Sequence, residues 1–301
     1  METILAIDIG GTHQRFAEIS LTGDILEKNT YQSHPHISSE EFFEILRKRI
    51  SDRLKKTSFL GVAVALPVLM PVLMNEKVGN NSVQDAPNLP FLVGVDLAQS
   101  FSFLSVPWIV ENDANCALLG EAWLGEGQKE SSFCCLTLGT GIGSGLFLNG
   151  KLWKGVRGMA SEMGHLKIDF LGNTPCTCGG QGCLEAFASA TALQKKTGYT
   201  AQELYGMACR RESLALHAFE QMGESLGRGI GSVANLLNID LFILAGRLSQ
   251  AFEFFYPSCI RVAKESAMKG PRQHLKIVQS KLGDDAGLLG AAWLIKKKFQ
   301  L

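Results

Sequence analysis

Three cysteines fall within eight residues in Cys176-Thr177-Cys178-Gly179-Gly180-Gln181-Gly182-Cys183, and the glycines between them let the chain curl around an ion. Thiolates are soft ligands suited to tetrahedral Zn²⁺, which takes four donors. His165, 11 residues before Cys176, is the natural fourth. The alternative is a chance cluster or a disulfide, and the glycine spacing and a reducing compartment speak against it.

Glycine supplies a second chemistry. Backbone amides approach an anion closely only where no Cβ stands in the way. Gly10-Gly11-Thr12 and Gly139-Thr140-Gly141 both offer such backbone, with the Thr12 and Thr140 hydroxyls as further donors. Taken singly, each is more often an ordinary tight hairpin. Two at matching places in two halves would clamp one polyphosphate from opposite sides. Asp8, just before the first loop, would then hold Mg²⁺ through water, or else it simply forms the turn. In Glu111-Asn112-Asp113-Ala114-Asn115 a carboxylate stands at a strand-to-helix junction. Asp113 there either caps the helix or takes a proton from a substrate hydroxyl, with Asn112 orienting the acceptor. Local sequence leaves both open.

These residues need elements to position them. Thr3 to Ile7 reads as a strand, Asp8 to Thr12 as a turn, and Arg15 to Ile19 alternates before a turn at Thr22-Gly23-Asp24. The pattern recurs at Phe133 to Thr137, Leu138 to Gly143 and Ser144 to Leu148, closed by Asn149-Gly150. Gly10 and Gly139 lie 129 residues apart, so the second hairpin opens a second half. Two glycine-tipped hairpins predict a duplicated α/β fold with a cleft between its halves. Helical spacing marks 39–56, with Phe42, Phe43, Leu46, Ile50 and Leu54 on one face, and 112–124, 186–196, 200–210, 214–237, 252–268 and 286–298. Further strands are predicted at 60–66, 108–110, 241–245 and 275–279. Pro67 to Pro90 reads as an irregular loop region whose only strand-like run is Val68 to Met74. Lys296-Lys297-Lys298 suits a solvated helix C-terminus better than a nucleic-acid patch.

Composition narrows the function classes. In 301 residues, 46% hydrophobic and 19% charged residues describe a folded globular chain. Lys plus Arg and Asp plus Glu number 29 each, so no global positive field draws nucleic acid or an anionic membrane. The 32 glycines gather around the segments above. No basic region or cleavage site marks a leader after Met1, and the uncharged stretch Phe59 to Asn75 is 17 residues long and holds two prolines, short of a bilayer span. A cytoplasmic location is expected, and with it reduced cysteines. Cys116, Cys134, Cys135, Cys209 and Cys259 sit in apolar contexts typical of buried thiols.

Together these residues resemble the ROK family of sugar kinases, which have the actin-like, hexokinase-type ATPase fold. Asp8 to Arg15 is similar to that family's first phosphate motif, Leu138 to Gly145 to the second, and Glu111 to Asn115 to the catalytic segment. Glu162-Met163-Gly164-His165 followed by Cys176 to Glu185 resembles the sugar and zinc signature, and Leu282 to Ala292 the closing helix. The likeness covers nearly the whole chain. It implies a duplicated, ribonuclease-H-like two-domain fold with an interdomain cleft. The smaller domain would take residues 1–112 plus 286–301, and the larger, zinc-bearing one 113–285. It implies Asn112, Asp113, Glu162, His165 and Glu185 as sugar-binding residues and Asp113 as the base. Asp8, Gly10, Gly11, Thr12, Gly139, Thr140, Gly141 and Gly246 would bind nucleotide and Mg²⁺, and His165, Cys176, Cys178 and Cys183 a structural Zn²⁺. One His165 nitrogen would bind zinc while the other meets a sugar hydroxyl.

Two departures stand out. Ala65-Leu66-Pro67 replaces a Pro-Gly-Pro-like turn, adding Leu66 bulk near the sugar, and Gly246-Arg247 replaces a Gly-Gly pair, bringing Arg247 toward the adenosine. The activity implied is ATP- and Mg²⁺-dependent phosphorylation of a hexose, glucose before N-acetylmannosamine or N-acetylglucosamine, by a homodimer with no nucleic-acid or membrane partner. A sugar-sensing repressor of this family carries a helix-turn-helix ahead of the first phosphate loop, and only seven residues precede Asp8. A catalytically dead sugar-binding protein is the last rival, and intact Asp8, Thr12 and Asp113 argue against it.

Overall fold

The computed structural model describes residues 2–33, 37–69, 82–86 and 88–300. In chain order these form β1 (Thr3–Ile9), β2 (His13–Ser20), β3 (Ile25–Gln32), α1 (Ser39–Leu54), β4 (Phe59–Leu66), α2 (Leu97–Ser100), β5 (Trp108–Asn112) and α3 (Asp113–Leu124). There follow β6 (Phe133–Leu138), β7 (Ile142–Leu148), β8 (Lys151–Leu152), α4 (Glu185–Ala188), α5 (Ala190–Thr197), α6 (Ala201–Cys209) and α7 (Ser213–Leu237). Last come β9 (Leu241–Ala245), α8 (Phe252–Ser266), α9 (Lys269–His274), β10 (Lys276–Gln279) and α10 (Ala286–Phe299).

Packing divides the chain into two compact units. The first comprises Met1–Leu124, Lys154–Ala160 and Asp285–Leu301. Its sheet runs β3-β2-β1-β4-β5, antiparallel across β1, β2 and β3 and parallel across β1, β4 and β5. The central strands β1 and β4 are buried almost throughout, which is why they read as unbroken apolar runs. Edge strand β3 is mostly exposed and polar, and its sequence carries no apolar alternation by which it would be predicted. Ser38 caps α1 by accepting the Glu41 N–H, and Phe42, Leu46 and Ile50 pack into the core.

Helix α10 lies on α3 nearly backbone to backbone. A Cβ at Gly290 would stand 1.7 Å from the Cys116 carbonyl oxygen, and one at Gly120 2.2 Å from that of Ala286. This contact holds α3 in the first unit, so that unit runs to Leu124 instead of ending at the expected 112, and it also takes up residues 154–160.

The second unit, Gly125–Trp153 and Ser161–Asp284, has a sheet ordered β10-β9-β6-β7-β8. It is antiparallel across β6, β7 and β8 and parallel across β6, β9 and β10. Read from the other edge, it matches the first sheet strand for strand in order and direction. The predicted duplication is therefore a property of the topology, and Gly10 and Gly139 occupy the same β-hairpin of each copy. Helices α7 and α8 bury Phe219, Met222, Leu226, Ile230 and Phe255 in this unit's core. Helix α8 ends at Ser266, two residues short of the predicted end, and the short α9 follows. Of the strand-like run Val68 to Met74, residues 70–74 lie outside the described residues, and Leu69 bridges to Asp85. No helix among the described residues is long and apolar enough to cross a membrane.

Candidate active site

In the first unit, Asp8 is the penultimate residue of β1, and its Oδ2 lies 3.5 Å from an Arg15 guanidinium nitrogen. Gly287, at the start of α10, sits so close that a Cβ there would stand 3.3 Å from the same Asp8 oxygen. The turn after β1 closes with the Gly10 N–H donating to the His13 carbonyl at 2.8 Å. Neither Gly10 nor Gly11 has positive φ, and a Cβ on either would meet only ordinary van der Waals neighbours. Among the described residues of the unit no contact and no positive φ demands glycine at these positions, whereas close approach by a ligand would.

At the end of β5 the structure separates two roles that the sequence left open. Asn112 Oδ1 accepts the Asn115 N–H at 3.0 Å, so Asn112 caps α3 and Asp113 is its first helical residue. Asp113 Oδ1 accepts the Ala114 N–H at 2.9 Å. The other hydrogen-bonding end of Asn112, Nδ2, reaches the Val68 carbonyl at 3.3 Å. Glu111 locks this junction from beneath. It is buried, and its Oε1 accepts both the Asn112 N–H and the Asn115 amide at 3.0 Å, while Lys154 Nζ donates to Oε2. Sequence reading passed over Lys154, because nothing local marks a partner 43 residues away.

In the second unit the segments 162–165 and 176–185 converge on one peptide of the glycine hairpin. Glu185 Oε2 accepts the Ile142 N–H at 2.9 Å, and a Cβ on Gly141 would stand 2.4 Å from that oxygen. From the other side, Gly164 abuts the Ile142 carbonyl, where a Cβ would come within 2.2 Å. Ser144 adds a further tie, its hydroxyl donating to the Ser161 carbonyl and accepting the Met163 N–H at 3.0 Å. The His165 N–H donates to the Glu162 carbonyl at 3.0 Å. Thr177 Oγ1 donates to Glu185 Oε1 at 2.7 Å, joining the cysteine loop to the same carboxylate. Ser144 and Thr177 were also missed; a hydroxyl beside a glycine motif was the only signal they carried.

His165, Cys176, Cys178 and Cys183 bring one ligand atom each to within 4.8 Å of all the others. Zn–S bonds of about 2.3 Å at tetrahedral angles separate two sulfurs by about 3.75 Å, and a sulfur from a nitrogen by about 3.6 Å. The Cys178 and Cys183 sulfurs are 3.7 Å apart, and Cys176 Sγ is 3.6 Å from His165 Nδ1. The donor set and its spacing fit Zn²⁺, and no pair is at disulfide distance; all eight cysteines are free. Without a cation, burial pushes the Cys176 thiol up to about 11. Lys167 Nζ lies 3.0 Å from Cys183 Sγ, and that hydrogen bond raises the lysine. Elsewhere burial pushes Cys134 and Cys259 up to about 12 and Cys116 well above the usual thiol value, as suits inert packing groups.

The remaining positions of the second unit divide by what explains them. A Cβ on Gly139 would have no neighbour within 4 Å, and the Thr140 carbonyl accepts from Thr191 Oγ1 at 2.7 Å. Gly246 has φ +82°, and a Cβ there would stand 2.4 Å from the Leu138 carbonyl oxygen, so packing against β6 already requires glycine. Arg247 is exposed and pairs with Asp284 at 3.2 Å. Leu66, expected to add bulk near the sugar, is wholly buried in the first unit's core. Strand β4 is buried almost throughout, and this side chain packs within that core.

Two sheets of identical order, each opening on a glycine-tipped hairpin, define the duplicated α/β class of actin-like and hexokinase-like ATPases. Residues 4–298 match the model of the ROK family, and the chain belongs to it. It is 29% identical to a glucokinase of Halalkalibacterium halodurans over 98% of this chain and 95% of that one. A xylose repressor of Caldicellulosiruptor bescii is 27% identical over 97% of this chain and 78% of the repressor. Among solved structures, a ROK family glucokinase from Streptomyces griseus in complex with glucose and AMPPNP superposes with a TM-score of 0.84, at 26% identity over 98% of this chain and 99% of that one.

Proposed function

We propose that the protein is an ATP- and Mg²⁺-dependent sugar kinase that phosphorylates a hexose, with glucose as the preferred substrate. One observation carries this reading. Gly10, Gly11 and Gly139 sit in equivalent hairpins, and among the described residues neither a close contact nor a positive φ explains why they are glycine. Room kept clear at both copies suits the phosphates of ATP, with Thr12 and Thr140 hydroxyls as donors. Asp8 would hold Mg²⁺, which supplies charge neutralisation on those phosphates.

Asp113 takes the proton from the attacking sugar hydroxyl. Asn112 performs the capping of α3, and Glu111 with Lys154 fixes the segment that carries both residues. Glu162 and Glu185 accept hydrogen bonds from ring hydroxyls, as do the Asp113 carboxylate and Asn112 Oδ1, while His165 donates to one through its Nε2–H. With His165 Nδ1 facing the cysteines, Nε2 remains for the sugar. Zinc at His165, Cys176, Cys178 and Cys183 would organise this loop and take no part in the chemistry. A site built of hydroxyl acceptors penalises an analogue that leaves them unpaired, which favours an unsubstituted hexose. The homodimer implied by the family resemblance belongs to the same reading and is checked by light scattering.

The test is ATP consumption across glucose, other hexoses, N-acetylmannosamine and N-acetylglucosamine. Glucose is expected to give the highest kcat/KM. An N-acetylhexosamine preferred by tenfold, about 1.4 kcal/mol in transition-state binding, assigns an amino-sugar kinase instead. No consumption with any sugar, together with sugar binding by calorimetry, leaves a non-catalytic sugar-binding protein.

A further inference from the structure

A polar cavity of about 280 Å³ lies in the first unit, between the last two turns of α1 and the β2–β3 face of the sheet. It is lined by three cations, Arg49, Arg53 and Lys56, and three carboxylates, Glu18, Glu27 and Asp52. Opposite charges sharing one small cavity ordinarily pair. Here Asp52 turns to Lys55 outside, and among the described residues no ion pair within 4 Å involves Arg49, Arg53, Lys56, Glu18 or Glu27.

The charges are held apart by neutral anchors. Arg49 donates to Gln14, a side chain in a residue only 2% exposed. Arg53 donates to Asn29 Oδ1 at 2.6 Å and to the Tyr31 hydroxyl at 3.0 Å. Arg49 lies over the Tyr31 ring at 4.2 Å and Arg53 over Phe16 at 4.6 Å and Tyr31 at 5.6 Å, cation–π contacts that help anchor both. At the other end, Glu18 accepts from Thr3 Oγ1 at 2.9 Å and sits directly across the strand pair from Glu27. Like charges in direct cross-strand register repel. Burial, aided by the neighbouring Arg53 cation, lowers Arg49 below the usual arginine value, as befits a cation short of a counter-ion. The cavity thus carries two guanidiniums anchored over aromatic rings and, further along the same strand pair, two facing carboxylates, with Lys56 also on its wall.

We propose that this cavity binds a small zwitterion, with an oxyanion at Arg49 and Arg53 and an ammonium between Glu18 and Glu27. A bare anion would gain the arginines but meet the glutamates, and a bare cation the reverse; one molecule carrying both charges at opposite ends satisfies all four side chains. All these residues lie outside the proposed catalytic machinery, and the inference does not rest on the kinase reading.

The probes are O-phosphoethanolamine and β-alanine, which share the ammonium and differ in oxyanion, together with inorganic phosphate and ethanolamine as the separate halves. Calorimetry on the full chain is expected to give a Kd of about 1 mM or tighter for at least one zwitterion, and at least tenfold weaker binding for both halves. Whichever zwitterion binds more tightly identifies the oxyanion as phosphate or carboxylate. Arg49→Gln and Glu18→Gln should each weaken zwitterion binding at least tenfold, with unchanged far-ultraviolet circular dichroism showing that each variant is folded. If Arg49→Gln fails to fold, Glu18→Gln at the opposite end carries the test alone. Phosphate binding as tightly as O-phosphoethanolamine, or zwitterion binding that survives Glu18→Gln, overturns the proposal, and so does the absence of binding by both zwitterions at about ten times that Kd.

Discussion

Glu185 Oε2 accepts the Ile142 N–H at 2.9 Å, while Thr177 Oγ1 donates to Oε1 at 2.7 Å. One carboxylate therefore joins the second glycine hairpin to the cysteine loop. The two segments expected to meet phosphate and sugar are mechanically one piece, and Gly141 is glycine because Glu185 occupies the place of its Cβ. Gly141→Ala should displace Glu185 and lower kcat/KM for sugar and ATP together. Gly139→Ala, which meets nothing within 4 Å, should leave the thermal midpoint unchanged and raise KM for ATP alone. Steady-state kinetics with each substrate varied in turn distinguishes the two patterns.

Asp113→Asn keeps the shape at the first position of α3 and leaves the Asn112 cap intact. Loss of the base alone should reduce kcat by roughly 10²- to 10⁴-fold, with a thermal midpoint close to the parent's. Near-normal kcat would return Asp113 to a purely structural role.

Metal analysis of the purified protein should find about one zinc per chain. Cys178→Ser should lose it and weaken sugar binding in the same step, since Thr177 and Glu185 are tied to that loop. Metal-free protein with full sugar affinity would remove zinc from the account.

Leu66→Ala empties a fully buried position and should cost about 2–5 kcal/mol of unfolding free energy, read by urea denaturation. The ratio of kcat/KM between glucose and N-acetylglucosamine should not move, because Leu66 faces the core.

Cys134 and Cys259, pushed up to about 12 by burial, keep their protons in the fold after the unfolded chain has begun to lose its own. Their contribution to stability is full below about pH 8.5 and lost as pH rises from there toward about 12, since the unfolded state alone sheds these protons. Urea midpoints should fall with pH over that window, and less steeply in a Cys134→Ala/Cys259→Ala variant. Cys209, expected from its apolar context to be buried, is exposed, so at neutral pH iodoacetamide should label it and spare both buried thiols.

Local chemistry made much of this protein legible in one dimension. Glycine turns between apolar runs exposed both hairpins and their duplication, helical spacing gave α1, α7 and α10, and the Cys-rich loop with His165 declared a ligand set, because each signal resides in residues close along the chain. Edge strand β3 escaped because an edge exposed to water needs no apolar alternation. Tertiary structure alone assigned the cap to Asn112 and not Asp113, turned Leu66 inward, kept α3 with the first unit, and brought Lys154 to Glu111 and Glu185 to Ile142. Each of these depends on which groups meet across tens of residues of chain, and that is fixed by the burial of whole elements against one another, not by the spacing of residues within any one of them.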